Sequence, residues 1–192
     1  PKAPPPPAVS VLETQAKEIV FEAKDQALRI RQEAEEEAKR KGYRYIHSAN
    51  EPLLIAGVGT LYLEIMEEIP DVDVVIVPIG GGSGAAAACI VAKAINPKVK
   101  VIGVQAEKAP AVYLSWKNNR LMETESADTF AEGLATRAAF ALTFEILSRM
   151  IDDVVLVSEE EMKRAVLTLL ETVHQLAEGA GAASTAAAFK LR

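Results

Sequence analysis

Asp71–Ile95 reads DVDVVIVPIGGGSGAAAACIVAKAI. Val74-Val75-Ile76-Val77 is a continuous β-branched run, the pattern of a strand covered on both faces. Gly80-Gly81-Gly82-Ser83-Gly84 follows, and an Ala-rich helix is expected from Gly84 to Ile95. The turn therefore sits at the carboxyl end of a buried parallel strand, where α/β proteins bind ligands. Without Cβ atoms, several backbone N–H groups can converge on one anion. The helix adds its unpaired N–H groups and positive dipole end. Ser83 adds a hydroxyl donor. These features point to a phosphate cradle. No Lys-Ser or Lys-Thr follows the last glycine, so it is not a Walker loop. Ala87 stands where a dinucleotide fingerprint starting at Gly82 and Gly84 would need its last glycine. The plainer alternative is a tight turn against a close-packed Ala helix.

Working outward, Arg44-Tyr45-Ile46-His47 reads as a short strand and Leu53 to Ile69 as a helix ending before Pro70. Val99 to Val104 and Val154 to Val157 read as strands. Ala111 to Asn118 and Leu134 to Arg149 read as helices. Ser158-Glu159-Glu160-Glu161 is a capping box opening a helix to about Ala177. A last helix covers Gly181 to Leu191. Alternating strands and helices predict an α/β fold, a parallel sheet of about four strands with helices on both faces. We assign it to residues 42–192. Before it lie a Pro-rich tail, residues 1–10, expected as polyproline II, and a long helix, residues 11–41. That helix stops at Gly42. Ala16, Val20, Ala23, Ala27, Ile30 and Ala34 form a narrow heptad-like seam on it, which suggests helix pairing.

Composition bounds the function. The chain has 192 residues, 49% hydrophobic, so a globular core is possible. A net charge of -6 argues against a nucleic-acid surface. No apolar run reaches ~18 residues, so no membrane helix is expected. A Pro-rich start is unlike a secretion signal. The single cysteine, Cys89, excludes an intrachain disulfide, suits a reducing cytoplasm and reads as a core residue.

Five stretches carry a family resemblance, in order along the chain: IHSANEPLLIAGVGTLYLEIMEEIPDVDVVIVPIGGGSG, VIGVQAE, SADTFAEGLATR, DDVVLVSEEEM and LAEGAGAAS. Tyr45 to Arg192 resembles the fold-type II pyridoxal-phosphate enzymes, the threonine dehydratase and serine racemase family. The resemblance implies a pyridoxal-phosphate cofactor, with its phosphate in Gly80, Gly81, Gly82, Ser83 and Gly84. It places Gly133 near the cofactor ring, and Glu51 and Glu178 on the substrate side. It implies a hydroxyamino acid as substrate. On the residues alone, Glu51 could equally cap a helix and Glu178 could be a solvated helix end. Arg137 could hold an anion or make a structural contact. His47 and His174 read as structural, and Asp152 and Asp153 as turn residues. Separately, AKEIVFEAKDQALRIRQEAEEEAKR resembles the long helical region of ribonuclease Y, though no His-Asp dipeptide for that enzyme's metal is present.

The resemblance also has gaps. No lysine here stands in the family's Ser-x-Lys-x-Arg-Gly motif, which supplies the Schiff-base lysine. Its Ser-x-Gly-Asn substrate loop and final Ser-Gly-Gly-Asn strand are absent. Gln105 and Ala111 stand where metal-binding racemases have acids, so no divalent ion is expected. No catalytic residue is assigned. Three readings stay open. One is a dehydratase-like lyase eliminating water and ammonia from hydroxyamino acids. The second is a non-catalytic α/β module that binds phosphate or sulfate and forms a homo-oligomer through its N-terminal helix. The third, from helix composition, is an RNA-related fragment.

Overall fold

A computed structural model describes residues 9–192, excluding the side chains of residues 9, 10, 12, 13, 15–17, 20, 21, 23, 24, 27 and 28. The expected polyproline segment lies, for residues 1–8, outside the described residues. Two compact units appear, Pro1–Ile46 and His47–Arg192.

The first unit is helix α1, Val9–Lys41, which starts two residues before the expected boundary. Gly42 ends it in the left-handed region, φ 70°. Tyr43 N–H then reaches back to the Ala38 carbonyl at 2.8 Å, satisfying a carbonyl that the helix leaves free. Lys39, Arg40 and Lys41 complement the negative end of the helix dipole. Of the proposed seam, Ile30 and Ala34 are exposed, and the side chains of Ala16, Val20, Ala23 and Ala27 lie outside the described residues.

The second unit is α/β. Its elements are α2 Pro52–Glu68, β1 Val74–Pro78, α3 Ser83–Ile95, β2 Lys100–Ala106, α4 Ala111–Lys117, α5 Ala141–Met150, β3 Asp153–Val157, α6 Glu159–Val173 and α7 Gly179–Lys190. The three strands are parallel, in the order β1-β2-β3. Val77 pairs with Gly103, and Gly103 with Val154. Both faces of the sheet are covered. Val75 and Val77 pack with α2, α3 and α5, around Ile79, Cys89, Val101 and Leu147. Ile76 and Val155 pack with α6 and α7, around Val104, Leu134, Met162 and Ala183. The β-branched run therefore serves two cores at once, by the strand's period of two.

Three expectations need correction. The sheet has three strands, not four, because Arg44–His47 forms no ladder. His47 turns the chain instead, its Nδ1 accepting from the N–H groups of Ala49 (3.0 Å) and Asn50 (2.9 Å). The expected Leu134–Arg149 helix begins only at Ala141, after a 3₁₀ turn at Glu132–Leu134. Between them Thr124 N–H bonds the Arg137 carbonyl at 2.8 Å, and Glu123 bridges Ala138, which takes Arg137 and Ala138 out of the helix. The helix expected to reach Ala177 ends at Val173, because His174 takes a left-handed φ of 56°.

Asp152 is a long-range clamp rather than a turn residue. Its carboxylate accepts from Val101 N–H and Lys93 Nζ, each at 2.7 Å, tying the start of β3 to β2 and α3. Asp153 does bond locally, to Val154 N–H. Burial alone would raise the Asp152 carboxyl, but bonds from Lys93 and Val101 outweigh it and hold its pKa below the ordinary value. A carboxyl depressed in the fold stabilises it above the unfolded pKa, about 4, and loses that effect as pH falls through the folded value. Denaturation at stepped pH should therefore show stability falling below about pH 4. Asp152→Asn should be less stable at neutral pH and show a shallower acid loss.

Candidate functional site

The glycine turn is held by its carbonyls. Ile79 anchors its entry: the side chain is fully buried and its N–H donates to the Val104 carbonyl at 2.8 Å. Thr136 Oγ1 donates to the Gly80 carbonyl at 3.2 Å, and Thr143 Oγ1 to the Gly81 carbonyl at 2.9 Å. In a trans peptide the next N–H points opposite the carbonyl. Pinning these two oxygens thus aims the N–H groups of Gly81 and Gly82 away from the threonines. The Gly82 carbonyl accepts from Ala86 N–H at 2.9 Å as α3 begins. The N–H groups of Ser83, Gly84 and Ala85 are first-turn groups with no partner inside the helix.

Small residues here are a steric requirement. A Cβ on Gly80 would collide with the Gly133 carbonyl. One on Gly81 would meet the Ala49 methyl and the Phe140 ring. Gly82 has φ 94°, a left-handed conformation, and its Cβ would lie 2.9 Å from Thr143 Cβ. These contacts place the turn between the 47–51 segment and the 130–136 segment. A backbone this bare, with the Gly81 and Gly82 N–H groups aimed away from the threonines, is of a kind that can take a phosphate group.

Gly133 and Glu178 join the same place. Gly133 is exposed beside Gly80, and a Cβ on it would lie 3.0 Å from Ala180 Cβ and 4.0 Å from Glu178 Oε1. Glu178 caps α7, accepting from Ala180 N–H at 2.9 Å and Gly181 N–H at 2.7 Å. Glu51 caps α2 through Leu53 N–H at 3.3 Å. Both acids therefore act as helix caps, and Gly133 and Glu178 also share the surface beside the turn. Arg137 Nε donates to the Thr124 carbonyl, a structural contact. His174 is an exposed helix end, and the His47 ring packs edge-on to Phe140. Cys89 is fully buried, and desolvation pushes its thiol up to about 12, so it stays an inert thiol.

Helix N-termini set the turn apart. Glu51 caps α2, Ser158 caps α6 and Glu178 caps α7. Asn50 Oδ1 accepts from Leu142 N–H at 2.8 Å, capping α5 from 92 residues away. Gln105, fully buried, caps α4 through Tyr113 N–H at 2.8 Å, while its Nε2 holds the Ile79 carbonyl at 3.2 Å. Among the described residues, no side chain caps α3. Thr136, Thr143, Asn50 and Gln105 thus shape the site, and local sequence patterns do not mark them. Each acts across a long chain separation, which only the fold closes.

The left-handed Gly82 gives a direct test. Gly82→Ala should lower unfolding stability by about 1–3 kcal/mol. Gly57 is the control: it lies within α2, and a Cβ there meets nothing within 4 Å. Gly57→Ala should raise stability by about 0.5–1 kcal/mol. Urea titration of both variants measures the contrast.

The sequence matches the family described as pyridoxal-phosphate dependent enzyme over residues 2–192, so the match takes in α1 as well as the stretch from Tyr45. It is 43% identical over 169 residues to an L-threonine ammonia-lyase of Thermotoga maritima, covering 88% of this chain and 40% of that protein. The chain thus spans less than half the length of this relative. Among solved structures, the fold is similar to a threonine deaminase of T.th., with TM-score 0.78 and 32% identity, over 82% of this chain and 58% of that one. It is also similar to a serine racemase from Dictyostelium discoideum, with TM-score 0.75 and 32% identity, over 82% of this chain and 50% of that one. The cofactor in the family's description carries a phosphate of the kind the bare turn suits, and the chain belongs to the pyridoxal-phosphate dependent enzyme family.

Proposed function

We propose that this chain carries the phosphate-holding part of a threonine ammonia-lyase-like active site, and that these residues alone do not turn threonine over. The observation that carries the reading is the uncapped N-terminus of α3, opening on a glycine turn whose carbonyls are pinned by Thr136 and Thr143. Gly81, Gly82, Ser83 and Gly84 would hold the phosphate by backbone N–H groups, with the Ser83 hydroxyl as a further donor. When bound, pyridoxal phosphate supplies the electron sink for eliminating water and ammonia from a hydroxyamino acid. Gly133, with no side chain, leaves room beside the turn for the flat ring. The Glu178 carboxylate stays ordered through its two N–H partners and faces the same space. No lysine here has the motif of the family's cofactor-anchoring residue, so the chain supplies no amine positioned to hold the cofactor covalently or move the proton.

Equilibrium dialysis and absorbance of the 192-residue chain with pyridoxal phosphate test this. The expected result is reversible binding that inorganic phosphate competes away, with no 2-oxobutyrate from threonine. Production of 2-oxobutyrate by the pure chain would overturn the inactivity. Binding that phosphate does not compete would overturn the cradle.

A second, compatible reading concerns assembly. Ile19 and Ile30 are 66% and 58% exposed on α1. Their spacing of eleven residues is close to three helical turns, so they share a face. We infer that α1 pairs with a second copy of the chain. Sedimentation equilibrium should give a dimer or higher species, and Ile19→Lys with Ile30→Lys should shift it to monomer.

A further inference from the structure

Tyr62 is a polar group that the family assignment leaves without a role. It lies on the inner face of α2, on the seam Ile55, Gly59, Tyr62 and Met66. The missing side chain of Gly59 brings α2 close to α3: a Cβ there would lie 3.3 Å from Val91. Tyr62 is seated against α3 as a result and is only 6% exposed. Its hydroxyl oxygen is 3.5 Å from where a Cβ on Gly84 would sit, and outside α3 no other atom comes within 4 Å of that point. Gly84 is the second residue of α3, so the phenol ends beside the first-turn N–H groups. Among the described residues none accepts a hydrogen bond from it. The hydroxyl oxygen is not among the buried side-chain atoms that lack a partner, so it still meets solvent, and an anion on the first turn of α3 would give it a charged acceptor.

We propose that the Tyr62 hydroxyl is a further ligand of the anion bound at the glycine turn, donating from the α2 side to a phosphate oxygen. This rests on the cradle reading and adds a side-chain donor to a site otherwise built of backbone and Ser83. Two features agree with it. Gly84 has no side chain of its own to stand between the phenol and the first turn. Desolvation, with a smaller contribution from Cys89, pushes the Tyr62 phenol up to about 12, so at neutral pH it keeps its proton and acts as a donor. A charge-assisted bond of this kind is among the stronger hydrogen bonds and adds geometric selectivity for tetrahedral oxyanions.

The experiment compares the full 192-residue chain with its Tyr62→Phe variant, using inorganic phosphate, pyridoxal phosphate and pyridoxal as separate probes. Removing one oxygen should weaken phosphate and pyridoxal phosphate by about tenfold each, the loss expected for a bond to a charged acceptor. Pyridoxal, lacking the phosphate, should bind both proteins equally poorly. Added phosphate should give a tyrosine ultraviolet difference spectrum in the parent chain and none in Tyr62→Phe. The ligand-free variant should melt no lower than the parent. Equal phosphate affinities in the two proteins overturn the role of Tyr62 while leaving the cradle intact. Weaker binding with a lower ligand-free melting temperature and no tyrosine signal in the parent marks a packing role and also overturns it. If the parent chain binds neither phosphate compound, the cradle reading falls and this assignment falls with it.

Discussion

The two threonine hydroxyls that hold the Gly80 and Gly81 carbonyls set the direction of the turn's donors. A glycine-rich loop has wide backbone freedom, and freedom alone does not make an anion site. Order must come from outside the loop. Thr136 and Thr143 lie 56 and 62 residues further along the chain, so the order arrives only when the unit is folded. Thr143 also bonds the Phe140 carbonyl, at the start of α5. The loop is thus coupled to α5, and through Asn50 to the segment before α2. Gln105 completes the frame from β2 by holding the Ile79 carbonyl, one residue before the turn.

This frame explains why the site is made of small residues on one side and polar residues on the other. Ala49, Phe140, Thr143 and Gly133 all approach the glycines closely. Each approach uses space that a side chain would fill. In β2 the same logic holds: a Cβ on Gly103 would collide with the Ile79 and Ile151 side chains. Gly103 therefore lets Ile79 bury fully beneath the turn. A buried residue immediately before a bare loop fixes where the loop starts.

Much of this is legible in the sequence, and the limits are physical. The β-branched run 74–77, the glycine turn and the Ala helix are readable because each depends on local composition. The Ser158 capping box is readable for the same reason, and its reciprocal bonds are present. Arg44–His47 misleads because β-propensity says nothing about whether a partner strand exists. The start of α5 misleads because Arg137 and Ala138 pair with residues 123–124, which helix periodicity does not register. Glu51 and Glu178 are open in the sequence between cap and site, and both cap helices. Tyr62 looks like one more apolar position at helical spacing, since the ring buries whether or not its hydroxyl has a task.

The distribution of caps gives the site its electrostatic sense. A carboxylate at a helix N-terminus neutralises the positive end of the dipole and occupies the N–H groups an anion would use. Glu51 and Glu178 do this on α2 and α7. Each removes a competing anion site and keeps its own charge fixed in place. On α3 the residue before the helix is Gly82, which has no side chain to offer. A serine or aspartate there would bring a side chain able to compete with an anion for the first-turn N–H groups. The left-handed φ of Gly82 makes that substitution costly as well as self-defeating, because a β-carbon would press on Thr143. The backbone conformation and the uncapped first turn of α3 therefore both follow from having glycine at this one position.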